Sequence, residues 1–174
     1  MNHVRNRGRT QVKTEKRKRT RPISYVAKSP KETVDIARLF LDKLLDNAKK
    51  SSDALVVGLS GDLGAGKTTF VQTVAKHLGI KSKISSPTFV IIKKHKIKNK
   101  ITSKKYKFMF HLDAYRLKNE KELLALGWEE IIENPEHIVF VEWPKNVKKA
   151  MPKTARFIRI SHAKKENERV LYLQ

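Results

Sequence analysis

Gly61-Asp62-Leu63-Gly64-Ala65-Gly66-Lys67-Thr68 is the stretch best equipped for chemistry, because it meets the G-x-x-x-x-G-K-[ST] pattern of a loop that cradles phosphates. Glycines let such a backbone wrap a polyphosphate, successive N–H groups and a helix N-terminus supply partial positive charge, and Lys67 adds a full one. Thr68, followed by Thr69, is placed to ligate magnesium. Two acids farther along qualify as partners of this loop. Glu142 directly follows the apolar run Ile138-Val139-Phe140-Val141, the arrangement of a Walker B carboxylate at the C-terminal edge of a buried parallel strand. Asp113 lies in His111-Leu112-Asp113-Ala114-Tyr115-Arg116-Leu117. It would serve a magnesium shell, or else form a structural pair with Arg116 while Tyr115 fills the core. Glu142 is preferred as the metal-side acid because its strand is the more fully apolar. Ser85-Ser86-Pro87-Thr88 reads either as a plain turn or as a nucleotide-sensing loop whose Thr88 hydroxyl approaches the terminal phosphate or the metal.

The elements that must position these groups follow from periodicity. Leu55 to Leu59 is a short strand before the loop. Behind it Phe70, Val71, Val74, Ala75 and Leu78 recur at helical spacing until Gly79. Ser29-Pro30-Lys31-Glu32 starts an earlier helix, with serine as N-cap, proline at the first position and glutamate completing a capping box. Its apolar stripe is Ala37, Phe40, Leu41, Leu44, Leu45 and Ala48. Phe89 to Ile92 and Tyr106 to Leu112 are expected strands, with a lysine-rich hairpin tip between them and Phe108 and Phe110 on one face. Asn119 or Lys118 opens a short acidic helix closed by Gly127, and Trp128 to Ile132 adds another helical turn. Thr154 to Ser161 and Arg169 to Leu173 read as a hairpin at the sheet edge. Residues 1–28 read as a basic, flexible arm, and 29–174 as one domain.

Composition bounds the function. With 174 residues and 39 % hydrophobic content, the chain suits one α/β core. It has no cysteine, which excludes disulfides and thiolate chemistry. The net charge of +22 is concentrated: residues 1–21 carry nine Lys/Arg against Glu15, and residues 93–107 carry eight Lys and no acid. Such blocks are solvated tails or weak electrostatic contacts to RNA, and neither has the interleaved aromatics of a base-stacking surface. No apolar run has the length of a membrane span, so the expectation is a soluble, cytoplasmic protein without membrane contact. An organelle address in the basic arm is the alternative.

Taken together, the loop through Phe70, Ser86-Pro87-Thr88-Phe89, the stretch from His111 to Leu117, Glu122-Leu123 with Gly127, and Val141-Glu142-Trp143-Pro144 resemble the TsaE (YjeE) family. These are small bacterial ATPases of tRNA threonylcarbamoyladenosine synthesis. The resemblance covers about Ser29 to Gln174. It implies a three-layer, P-loop NTPase-like α/β fold with a mostly parallel sheet, ATP and Mg2+ as ligands, and TsaB-like and TsaD-like partners. TsaD-type enzymes transfer the threonylcarbamoyl group to the tRNA adenosine beside the anticodon, so tRNA would be met indirectly or through the basic segments. Carried over, Lys67 matches the phosphate-binding lysine, Thr68 a magnesium ligand, Glu142 the other metal-side acid and Asp113 a nucleotide-site acid. Ser86-Pro87-Thr88 matches a switch-like loop and Trp143 the tryptophan after the acid. Ala114 departs from a bulkier apolar residue, and the lysine-rich hairpin is longer and more basic than the family pattern.

Three rivals make different demands. A small-molecule P-loop kinase needs an acceptor pocket and an arginine-bearing lid, and no such Arg cluster follows the central helices. A GTPase would carry an Asn-Lys-x-Asp base-reading motif, absent here. An RNA-binding module would use the basic blocks, with the loop an accessory nucleotide site.

Overall fold

The computed structural model describes residues 23–48, 52–165 and 167–173. Seven strands form one sheet in the order β1-β7-β6-β2-β5-β4-β3. Its centre is parallel: β2 (Leu55–Ser60) lies between β5 (His137–Glu142) and β6 (Arg156–His162), and β4 (Phe108–Asp113) flanks β5. Antiparallel strands complete both sides, β3 (Ile92–Lys96) on β4, then β7 (Arg169–Leu173) and β1 (Ile23–Ala27) beyond β6. All six residues of β5 are buried, as an unalternated apolar run requires when both faces are covered.

One face carries α1 (Pro30–Asn47) and α2 (Lys67–His77). Their stripes meet the sheet and each other, with Phe40 and Phe70 edge-to-face at 6.0 Å. The other face carries α3 (Glu120–Leu124), α4 (Trp128–Ile132) and a 3-10 segment over Pro144–Ala150. There Trp128 is fully buried among Leu112, Leu123, Val139 and Val141 and donates Nε1–H to the Ala150 carbonyl at 2.8 Å. The architecture is thus the three-layer, P-loop NTPase-like α/β fold.

The α1 start forms as its sequence dictates. Ser29 Oγ accepts from the Glu32 amide at 3.2 Å, while the Glu32 carboxylate reaches back to the Lys28 amide at 2.9 Å. Ser29→Ala is expected to cost about 1 kcal/mol, lowering the melting temperature by about 3 °C in a thermal scan.

Three expectations need correction. Residues 23–27 are not part of an arm, because Ile23 to Ala27 pair in register with Leu173 to Arg169 and Ala27 is fully buried; residues 1–22 lie outside the described set. The C-terminal hairpin is not the sheet edge: β6 pairs on its other side with β2, burying Ile158 and Ile160, and β1 covers β7. Phe89 to Ile92 is not a strand. Pro87 to Ile91 closes a tight turn, with the Ile91 amide donating to the Pro87 carbonyl at 2.6 Å, and Phe89 is 84 % exposed. The strand begins only at Ile92, while the lysine-rich segment does form the β3–β4 connection. Among the described residues, no helix is long and apolar enough to cross a membrane.

Candidate functional site

The site lies at the C-terminal edge of the parallel strands β2, β4 and β5. Gly61 leaves β2 at φ 144°, a conformation strained for any side chain, and an added Cβ would lie 2.1 Å from the Ile160 carbonyl oxygen of β6. Gly64 and Gly66 also have positive φ, 76° and 105°, so the loop curls tightly into the first turn of α2. Leu63 is 82 % exposed at its tip. Ala65 is buried, and its carbonyl accepts from Arg169 Nε at 3.2 Å, which ties the loop to β7. Thr69 is exposed on α2, and its carbonyl accepts from the Thr73 hydroxyl at 3.0 Å.

Lys67 is 5 % exposed and folds back into its own loop. Its Nζ donates to the Gly61 and Asp62 carbonyls at 2.8 and 2.9 Å and sits 4.0 Å from the centroid of the Trp143 ring. Burial pushes the Lys67 pKa down from its ordinary value, opposed by the carboxylates of Glu142, Asp113 and Asp62. The ammonium therefore occupies the concavity of the loop with carboxylates around it. Trp143 holds its place over Nζ through a left-handed backbone (φ 58°, ψ 47°), a bond from its amide to the Leu59 carbonyl at 3.1 Å, and ring contact with Tyr115 at 5.2 Å.

The two acids stand side by side, since Asp113 and Glu142 are direct partners in the β4–β5 register. Each is 3 % exposed, and their company differs. Thr68 Oγ1 donates to Glu142 Oε1 at 2.9 Å, and His111 Nε2 meets the same oxygen at 2.8 Å. Asp113 Oδ2 accepts from Ser86 Oγ and from Thr88 Oγ1, both at 2.6 Å, while Oδ1 accepts from the Tyr115 amide at 3.0 Å. Lys67, Thr68, Thr88, Asp113 and Glu142 are thus brought to one place. The alternative of an Asp113–Arg116 pair with a buried Tyr115 does not form: Arg116 lies over the Phe89 ring at 4.3 Å, and Tyr115 is 55 % exposed.

A hydroxyl and a carboxylate oxygen are the hard ligands magnesium takes, two from protein with the remainder left to water and phosphate. Among the described residues there is no cluster of three or more His, Cys, Asp or Glu that would make an all-protein metal cage. A concavity of about 430 Å³ lined by Asp42, Leu45, His77, Ile101 and Tyr106 contains none of the loop residues.

Sequence reasoning gave no role to His111 or Arg169, and nothing beyond the family match to Trp143. His111 was findable, because it shares a strand face with Asp113 two residues on. Arg169 had no local signal, since its contact exists only when β7 returns past the loop.

Lys67 closes back on Trp143, so a phosphate that took the place of the Gly61 and Asp62 carbonyls at Nζ would move one against the other. Titrating ATP with magnesium is expected to change Trp143 emission saturably, while Trp128, sealed in the core, supplies constant background. Trp143→Phe should abolish the change; a response that survives this substitution would show that Trp143 does not report the site.

Comparisons with known proteins bear on the family to which the chain belongs. A family model described as "Threonylcarbamoyl adenosine biosynthesis protein TsaE" matches residues 27–171. The tRNA threonylcarbamoyladenosine biosynthesis protein TsaE of Rickettsia typhi is 34 % identical over 125 residues, covering 71 % of this chain and 76 % of the relative. The protein of the same name from Bacillus subtilis is 32 % identical over 144 residues, 83 % of this chain and 80 % of the relative. Among solved structures, Bacillus subtilis YdiB superposes with a TM-score of 0.62 at 28 % identity, covering 88 % of this chain and 84 % of that one. With nearly the whole described domain inside the family match, this chain belongs to the TsaE family.

Proposed function

We propose that this chain binds ATP with magnesium and hydrolyses it as the ATPase subunit of tRNA threonylcarbamoyladenosine formation in the cytoplasm, acting with TsaB-like and TsaD-like partners. The observation that carries the reading is the Thr68–Glu142 contact of 2.9 Å directly beside the Lys67 loop, a hydroxyl–carboxylate pair of the kind that would hold magnesium next to a bound polyphosphate.

The chain's own residues divide the work. The loop amides and the N-terminus of α2 hold the polyphosphate, with Gly61, Gly64 and Gly66 keeping side chains out of the way. Lys67 exchanges the Gly61 and Asp62 carbonyls for phosphate oxygens, which turns a desolvated ammonium into one paired with anionic charge. Thr68 and Glu142 would hold magnesium, which when bound would supply neutralisation of phosphate charge. Asp113 clamps the Ser86–Thr88 turn beside the terminal phosphate, and three of its acceptor positions are already engaged. With both Asp113 and Glu142 committed in this way, neither stands free as a strong base, so hydrolysis is slow alone and rises on assembly with the partners.

The test is reconstitution of tRNA modification from purified partner proteins, with and without this chain and with and without ATP. The reading expects repeated turnover only when both are present. Full turnover without this chain, or an ATPase rate that the partners leave unchanged, contradicts it.

A further inference from the structure

Three successive peptide groups carry the glycine loop into α2, and they are held in different ways. The Gly64–Ala65 peptide donates its N–H to the Asp62 carbonyl at 3.2 Å, and the Gly66–Lys67 peptide accepts from the Phe70 amide at 2.9 Å, the first bond of the helix. Between them, the Ala65–Gly66 peptide makes one hydrogen bond among the described residues, from Arg169 Nε to its carbonyl at 3.2 Å. The Gly66 N–H donates to none of those residues. Packing does not set the plane of this peptide, since a Cβ on Gly66 would meet no atom within 4 Å. Turning the plane over changes ψ of Ala65 and φ of Gly66, and a glycine takes either sign of φ at little steric cost. The Arg169 contact is therefore what selects the orientation.

Arg169 is itself firmly placed. It stands in β7 opposite His162 of β6 and Ala27 of β1, so strands on both sides fix its backbone. Its Nη1 donates to the Glu168 carbonyl at 2.8 Å, and the rigid planar fork then leaves Nε aimed at the loop. A trans peptide points its N–H opposite to its C=O, and no peptide among the described residues is cis. With the Ala65 carbonyl turned to Arg169, the Gly66 N–H faces away from β7.

We infer that Arg169 is a positioning residue for phosphate binding. Its hold on the Ala65 carbonyl keeps the Gly66 N–H aimed into the concavity that Lys67 Nζ occupies beside the Gly61 and Asp62 carbonyls. The donor is in place before nucleotide arrives, and no peptide has to turn when it does. A cation on β7 thus serves the phosphate through one neutral peptide, without touching it. Its effect differs from that of Thr68 and Glu142: losing Arg169 weakens nucleotide equally with and without magnesium, whereas losing either of those two removes the magnesium-dependent part. The inference rests on the proposed binding of phosphate by the loop; the direction of the Ala65 carbonyl does not.

Ala65-Gly66 is the one Ala-Gly dipeptide in the chain, so carbon-13 carbonyl label in alanine with nitrogen-15 label in glycine gives a single linked NMR signal for this peptide. In the full-length wild type, adding ATP without metal should move the Gly66 amide proton downfield. An amide that stays put while ATP binds overturns the inference, and this readout needs no substitution. Arg169→Met keeps an unbranched stem and removes the donor. It should shift the Ala65 carbonyl upfield and weaken ATP binding about tenfold, equally with and without magnesium. Arg169→Lys, whose Nζ reaches as far as Nε, should restore the carbonyl signal and most of the affinity. A melting curve identifies the folded variants. An unmoved Ala65 carbonyl in folded Arg169→Met, or full affinity beside a shifted carbonyl, overturns the positioning role. So does a loss of affinity that Arg169→Lys fails to recover although its Ala65 carbonyl signal returns. Wild-type protein that does not bind ATP sinks instead the reading on which the inference rests.

Discussion

Lys67→Ala is expected to lower partner-stimulated ATP hydrolysis by about 10²–10³-fold, the loss typical of removing one preorganised donor to developing charge. The reason is specific to its surroundings. Lys67 is nearly buried, its pKa is pushed down by desolvation, and its present partners are two neutral carbonyls and a ring face. A phosphate is a far better partner for that ammonium, so the interaction gained on binding is large. Stability should change much less than activity, because removing the side chain also removes a desolvated charge. Phosphate-release assays on the assembled complex, with a melting curve as control, measure both. A variant with full affinity and full stimulated hydrolysis would refute the proposed role of the loop.

The largest effect on folding is expected at Gly61. Gly61→Ala combines a left-handed φ of 144° with a Cβ 2.1 Å from the Ile160 carbonyl oxygen, and neither the loop nor β6 has a flexible side chain there to yield. Relief requires shifting the backbone of a central strand or of the loop. A loss of about 4 kcal/mol or more follows, in the range reserved for severe strain and overpacking. Urea denaturation checks it, and a loss below ~1 kcal/mol would mean that the loop does not pack against β6 as described. Gly64 makes the useful contrast, since a Cβ there meets nothing within 4 Å and only its φ of 76° opposes substitution.

These contrasts show what was legible beforehand. The loop, the capped start of α1 and the buried strand ending at Glu142 are local patterns, and the structure has all of them where periodicity and capping chemistry place them. Long-range pairings were not legible. Ile23 to Ala27 has β-prone residues, but only β7, at the far end of the chain, gives it a partner. Phe89-Val90-Ile91-Ile92 has the composition of a strand, yet Ser86 and Thr88 are held by Asp113, and that clamp turns Phe89 outward under Arg116. Asp113 and Glu142 had similar claims in sequence, each an acid at a strand end. Register makes them neighbours, and the third dimension tells them apart, giving Thr68 to Glu142 and the loop hydroxyls to Asp113. The charge of +22 invited a nucleic-acid reading, whereas the site is built from two acids, one lysine and a glycine loop.

The central claim is that Thr68 and Glu142 form the metal side of a nucleotide site, and one measurement addresses it directly. ATP affinity of the full chain is titrated against magnesium for the wild type, Glu142→Gln and Thr68→Ala. The account predicts that magnesium strengthens binding in the wild type, that each substitution removes most of this enhancement, and that metal-free affinity is retained in both variants. Wild-type affinity that is indifferent to magnesium, or variants that keep the full enhancement, would contradict it.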